Sequence, residues 1–258
     1  MPFTSLACTV NEAAPTLVGV SVNYLKRVFQ DTGTMLTSPL RWDAWDWLTF
    51  VGVGATTGGL MFADKGIRGY VQKNHTDTND AIASVLRPFE EIVPASLVAI
   101  MTGVGYAFDK PELKAAGADA LESTLIAVGA LSMPMKFFTG RARPDRNLGP
   151  KYYDPFTLGS SFPSFTAAEA FAVASTLADH FPNPVITVLA YGLAAGASAT
   201  RIYDDKHWAS DVFLGAVIGT LVGKTVVKLN EQRREDSRVS VVPLLENGIR
   251  GAALQVKF

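Results

Sequence analysis

Five stretches of this chain are free of charge and mostly apolar, with charged residues gathered between them. They run from Trp47 to Ala63, Ile92 to Phe108, Ser123 to Met135, Phe181 to Thr200 and Val212 to Gly223. Three reach the length of about 17–25 residues that a helix needs to cross a bilayer, and two fall short. Gly, Ala, Ser and Thr are frequent within them, which suits close helix packing in lipid or in water. A buried water-soluble bundle and a membrane-spanning one therefore both fit the pattern.

The same pattern predicts consecutive helices near 45–63, 89–108, 114–142, 165–181, 184–201 and 207–228, with short helical pieces near 66–86. Phe165, Ala168, Ala172 and Leu177 recur at helical spacing, and Pro182, Asn183 and Pro184 mark a turn after them. Residues 1–43 read as an N-terminal arm, in which Val20, Tyr24 and Val28 form one face of an amphipathic helix. That face lies either on a membrane surface or on the bundle itself. The charge-dense run Lys228–Arg238 closes the helical part. Beyond it, Arg238–Leu244 and Arg250–Phe258 alternate around Asn247-Gly248, a hairpin signal. The expected organisation is an arm (1–43), a helical domain (44–230), and a charged boundary with a short C-terminal β-hairpin (231–258).

Composition narrows the function classes. Of 258 residues 48% are apolar and 18% charged, below the usual quarter, which leans toward membrane association. A net charge of −1 gives no electrostatic case for nucleic acid as a partner. Cys8 is the only cysteine, so no intrachain disulfide is expected. The first twenty residues lack the basic start and long apolar run of a secretory signal.

Three short pieces put charge into this apolar background. Lys136 and Arg143 are seven residues apart, about two helical turns, and so share a face. Pro144 disfavours helix at Arg143 and sets that side chain at a helix end. Such a pair either binds an anionic oxygen ligand or balances the helix dipole. In the second piece, Pro163-Ser164-Phe165-Thr166, Ser164 is a good N-cap, and a helix N-terminus is itself an anion site. The third runs from Thr200-Arg201 to His207 and Asp211, with the last two one turn apart. An aspartate bonded to one imidazole nitrogen fixes the tautomer and leaves the other nitrogen free.

Each piece alone has an ordinary structural reading, but topology joins them. Helices that alternate in direction carry Lys136, Arg143, Ser164, Arg201, His207 and Asp211 to one end of one bundle. Convergent cations, a helix N-terminus and an oriented imidazole make a phosphate site with a nucleophile.

The ordered pattern Lys136, Arg143-Pro144, Pro163-Ser164, Arg201, His207, Asp211 resembles the signature of the type 2 phosphatidic acid phosphatase (PAP2) superfamily. That superfamily includes class A acid phosphatases and vanadium haloperoxidases. The resemblance implies an all-α, six-helix bundle and a metal-independent phosphatase without cofactor. It further implies His207 as the nucleophile that forms a phosphohistidine, Asp211 as the residue that holds its ring, and Lys136, Arg143, Ser164 and Arg201 as phosphate ligands. The implied substrate is a lipid phosphate or small phosphate ester, with phosphate or vanadate as inhibitor and membrane lipid as a neighbour. The implied location is membrane-associated or extracytoplasmic.

Two departures stand out. Thr200 replaces the usual Ser before the third-motif Arg. The second motif is usually Pro-Ser-Gly-His; here Gly-His has either become Phe165-Thr166 or contracted to Phe165. Both alignments lose the histidine that protonates the leaving group in the family, a loss worth roughly 10²–10⁴ in rate. Activity is therefore expected to be reduced, and the alternative is a degenerate protein that binds phosphate or lipid head groups without turnover.

Overall fold

The computed structural model describes residues 17–90, 92–157, 159–246 and 249–256. The chain divides into two compact units, one ending at Leu40 and one from Arg41 onward. In the first, α1 spans Leu17–Thr37 and leads into a 3₁₀ turn, Ser38–Arg41. Val20 of the expected amphipathic face has no described side chain.

The second unit begins with α2, Ala44–Lys73. Asp43 caps it in a reciprocal box with Asp46, satisfying the first free N–H groups. The helix runs on through Asp64 and Lys65, where the sequence suggested an end. Asp64 is buried against Arg141 and Ser210, so its charge does not mark a solvent-exposed terminus. Thr76 caps α3, Asp77–Leu86, and a 3₁₀ turn, Arg87–Phe89, leads to α4, Ile92–Ala107.

The next long helix changes pitch. α5, Pro111–Thr124, becomes a π-helical segment, Leu125–Ser132, and then α6, Met133–Thr139. The wider turn precedes Pro134, whose ring would collide with the carbonyl four residues back in a regular α-helix. It stops at Gly140, in the left-handed conformation (φ 58°), rather than near 142. A Cβ at Gly140 would overlap the Asp154 carbonyl, so the position requires glycine.

Three helices follow: α7, Phe165–His180; α8, Pro184–Tyr203; and α9, Ala209–Arg238. The last continues ten residues past the expected end at 228. Its charged final turns still pack on the bundle, because Asn230 and Arg234 donate to buried Asp119 of α5. Two strands, β1 (Val239–Glu246) and β2 (Ile249–Val256), pair antiparallel with Val239 opposite Val256. The Asn247-Gly248 turn lies outside the described residues.

α7 and α9 form the centre of the unit. Gly215, Gly219 and Gly223 recur every four residues along α9. A Cβ at any of them would overlap α7, at the Ser164 carbonyl, the Ala168 carbonyl and the Ser175 hydroxyl respectively. This small-residue stripe meets Ala167, Ala168 and Ala172, all buried, and lets the two backbones nearly touch. The outer faces are different. Phe62 is 80% exposed, Val188 70% and Ile100 57%, and α8 and α9 are long and apolar enough to cross a membrane.

Candidate active site

Close contact of α7 with α9 sets the geometry of one end of the bundle. Ser164 caps α7, its hydroxyl accepting from the Ala167 N–H, while its own N–H donates to the Asp211 carbonyl in the first turn of α9 (3.0 Å). The second and third sequence motifs are thus joined by a backbone bond.

The segment after Gly140 is extended, as Pro144 requires of Arg143 (ψ 151°). Its carbonyls tie the loops together. Ala142 accepts from the Trp208 indole (2.8 Å) and the Ser161 hydroxyl (3.2 Å), and Arg141 accepts from the Ser161 N–H (2.7 Å). Lys136, buried in α6, donates to the Ser160 carbonyl (2.6 Å). Its ammonium also lies 4.5 Å from the centre of the Phe165 ring, within the reach of a cation–π contact. The side chain that fills the altered second motif therefore sits against the first motif's lysine.

His207 is 4% exposed, and its Nδ1 donates to the Ser161 carbonyl at 2.7 Å. Asp211, expected to hold the ring, lies 3.7 Å from Nδ1, beyond hydrogen-bonding distance. Its oxygens are taken by Arg141 (2.6 Å) and by the Trp208 N–H (2.8 Å). A carbonyl only accepts, so Nδ1 carries the proton and Nε2 presents its lone pair. A backbone carbonyl, rather than Asp211, thus holds the ring proton. Burial pushes the imidazole pKa down; Asp211 opposes the shift, and Lys136 and Arg143 add to it.

The cations differ in how they are held. Arg143 is half-buried, and its guanidinium has no hydrogen bond or ion pair among the described residues. Burial and the neighbouring Arg201 both lower its pKa. Arg201 pairs with Glu90, whose other oxygen accepts from the Thr200 hydroxyl (2.5 Å). The Arg201 Nε is buried without a partner. Lys136, Arg143, Ser164, Arg201, His207 and Asp211 thus meet at one end of the bundle, but only Arg143 keeps its whole charged group free.

Sequence reasoning passed over the residues beneath this cluster. Arg141 is fully buried and donates to Asp64 (2.7 Å), the Ser210 hydroxyl (2.7 Å), Asp211 and the Pro150 carbonyl. Asp64 in turn accepts from the Ser210 N–H and hydroxyl. Glu90 was likewise unmarked. The signal lay in charge balance, since a buried arginine demands carboxylates, and Asp64 interrupts a long apolar helix. Three other groups that could supply a proton are engaged elsewhere: Tyr203 donates to Asp80, Asp204 pairs with Arg87, and His180 pairs with Asp119.

Comparison with known proteins gives one direction. The PAP2 superfamily model matches residues 119–235. The lipid A 1-phosphatase of Porphyromonas gingivalis is 34% identical over 140 residues, which cover 52% of this chain and 28% of that protein. The chain therefore spans under a third of the curated relative it matches. The crystal structure of the transmembrane PAP2-type phosphatidylglycerolphosphate phosphatase from Bacillus subtilis superposes with a TM-score of 0.56 at 20% identity, covering 72% of this chain and 94% of that one. Aquifex aeolicus LpxE gives 0.49 at 22% identity, covering 64% and 94%. The motif order and the helical fold agree with the family match, and residues 119–235 match the PAP2 superfamily.

Proposed function

We propose that this protein is a phosphatase that hydrolyses a phosphate monoester, a lipid phosphate or small ester, through a phosphohistidine, at a rate lowered by loss of the second-motif histidine. The observation that carries the reading is the unpaired Arg143 guanidinium beside Arg201 and His207. A half-buried cation with no internal partner suits a dianionic oxygen ligand. The free Nε2 of His207 attacks phosphorus; the N–P bond forms and the ester P–O bond breaks. Arg143, Arg201, Lys136 and the α7 N-terminus at Ser164 stabilise the charge on the phosphoryl oxygens. The leaving oxygen takes its proton from solvent. Water then attacks phosphorus, the N–P bond breaks, and phosphate leaves as a water proton passes to solvent. Asp211 acts through Arg141 and the Trp208 backbone, holding the loop that carries His207. The exposed apolar faces of α2, α4 and α8 support association with a membrane.

A second reading rests on Phe165. Its ring and the Ser160 carbonyl already occupy Lys136, and this favours a protein that binds phosphate or head groups without turnover. Hydrolysis of 4-nitrophenyl phosphate and of an alkyl phosphate, in the native protein and in His207→Ala, decides between them. We expect slow turnover of the aryl ester, at least tenfold less of the alkyl ester, and none in the variant. Absence of any turnover, with phosphate binding kept, would establish the second reading. Undiminished turnover in His207→Ala would remove His207 from the mechanism.

A further inference from the structure

Arginines in this protein hold their carboxylates in two ways, and one way leaves an edge open. Arg68 gives Nε and Nη2 to the two oxygens of Asp205 (2.7 and 2.6 Å), and Arg87 gives the same two groups to Asp204 (2.9 and 2.8 Å). That edge of a guanidinium carries two parallel N–H groups that match a pair of carboxylate or phosphate oxygens. Arg201 is different, because it gives Glu90 only Nη1. Its Nε is buried without a partner, and its Nη2 makes no hydrogen bond among the described residues. A buried N–H left unpaired is costly and calls for an explanation.

Thr200 is the reason that Glu90 takes only one N–H. Glu90 is buried just after the 3₁₀ turn Arg87–Phe89, and Thr200 and Arg201 are neighbours in the last turn of α8. The Thr200 hydroxyl donates to one Glu90 oxygen at 2.5 Å, while the other oxygen accepts from Arg201. A β-branched residue is stiff at χ1, which fixes the direction of that hydroxyl. A carboxylate tethered at one oxygen cannot turn both toward the Nε–Nη2 edge. Arg87 pins the same short turn to Asp204, so the carboxylate is also kept from sliding along α8. Nearby, the Arg143 guanidinium has no partner among the described residues, and Arg201 lowers its pKa. Glu90 thus neutralises one of two neighbouring cations without covering the edge that an oxyanion would take.

We propose that Glu90, held by Thr200, is a positioning residue that presents the Nε–Nη2 edge of Arg201 to the phosphoryl oxygens and tempers its charge, an inference that rests on the phosphatase reading. Phosphate then accepts two parallel hydrogen bonds from a guanidinium whose third nitrogen is anchored. Without the anchor, the added positive charge favours any bound anion, but the edge loses the alignment that the transition state requires.

The test is binding of inorganic phosphate to the full chain in detergent, measured by calorimetry, beside kcat for 4-nitrophenyl phosphate and the melting temperature. Glu90→Gln removes the charge at constant size, so phosphate should bind about three- to tenfold tighter. In the same variant kcat should fall about ten- to hundredfold. Opposite changes in affinity and turnover are a signature that general loss of structure does not produce. Thr200→Val frees the tethered oxygen to close on the Arg201 edge, and phosphate should bind about three- to tenfold weaker. Thr200→Ser keeps the hydroxyl and should bind as the native protein does. Unchanged or weaker phosphate binding in Glu90→Gln, or undiminished kcat there, overturns the proposal. So does unchanged or tighter binding in Thr200→Val, or a Thr200→Ser variant that behaves like it. If Glu90→Gln does not fold, the contrast between the two Thr200 variants decides alone. If the native protein turns over no ester, the affinity shifts still decide the role of Glu90, and the phosphatase reading alone fails.

Discussion

Nδ1 of His207 donates to a backbone carbonyl, and this has a measurable result. An imidazole fixed by a neutral acceptor gains less for its protonated form than one fixed by a carboxylate, and burial lowers its pKa further. In the proposed mechanism attack requires the neutral ring, so activity would be present above the His207 pKa and lost as pH falls through it. That pKa lies below the ordinary value of about 6.5. We expect the acid limb of kcat/KM for 4-nitrophenyl phosphate to lie below the ordinary imidazole range. Asp211→Asn removes an anion that opposes the lowering, and should move the acid limb lower still while reducing the rate. A limb at or above about pH 6.5 in the native protein would contradict the burial argument. At this scale the residues that gather at one end of the bundle were legible, because isolated charges stand out in an apolar chain. The residues that hold them were not. Arg141 lies between two motif positions, and its neighbours Asp64 and Ser210 are distant in sequence. Pair spacing along one helix carries no information about such contacts.

At the scale of elements, periodicity located the helices but misplaced ends where tertiary partners decide them. α2 extends past its charges because Arg141 neutralises Asp64, and α9 extends because Asp119 receives Asn230 and Arg234. The small residues of the uncharged stretches were expected to suit close packing, and in α9 the glycines among them meet α7. Gly219→Leu should drive α9 away from the Ala168 carbonyl. Overpacking of this kind costs typically about 1–3 kcal/mol. Because Ser164 and Asp211 are joined across the same interface, activity should fall further than stability. Thermal unfolding in detergent, followed by circular dichroism, and aryl phosphate turnover measure the two effects. An unchanged melting temperature would show that the helices do not pack this closely.

The unit from Arg41 onward places charge at the bundle's end and apolar surface around its sides. Trp45 and Phe50 near the start of α2 are exposed, as are Phe62 further along it and Val188 on α8. Such a surface is poorly matched to water. We expect the protein to sediment with membranes and to resist extraction by alkaline carbonate, being released only by detergent. Release by carbonate alone would mean a peripheral protein. Sequence left this choice open, since buried and lipid-facing helices share one composition; the apolar side chains exposed in the folded chain favour association with a membrane.

The pairing of Asp64 with Ser210 spans 146 positions, and it gives assembly a direction in time. A chain made from its N-terminus presents the Asp64 carboxylate first, Arg141 next and Ser210 last. A lone carboxylate or guanidinium is costly to bury, so α2 cannot settle against the bundle until α6 has arrived. The three-way lock closes only once α9 is in place. A ribosome-bound chain arrested before residue 209 should therefore remain open at this end, with Lys136, Arg143, Ser164, Arg201 and His207 already made but not yet gathered.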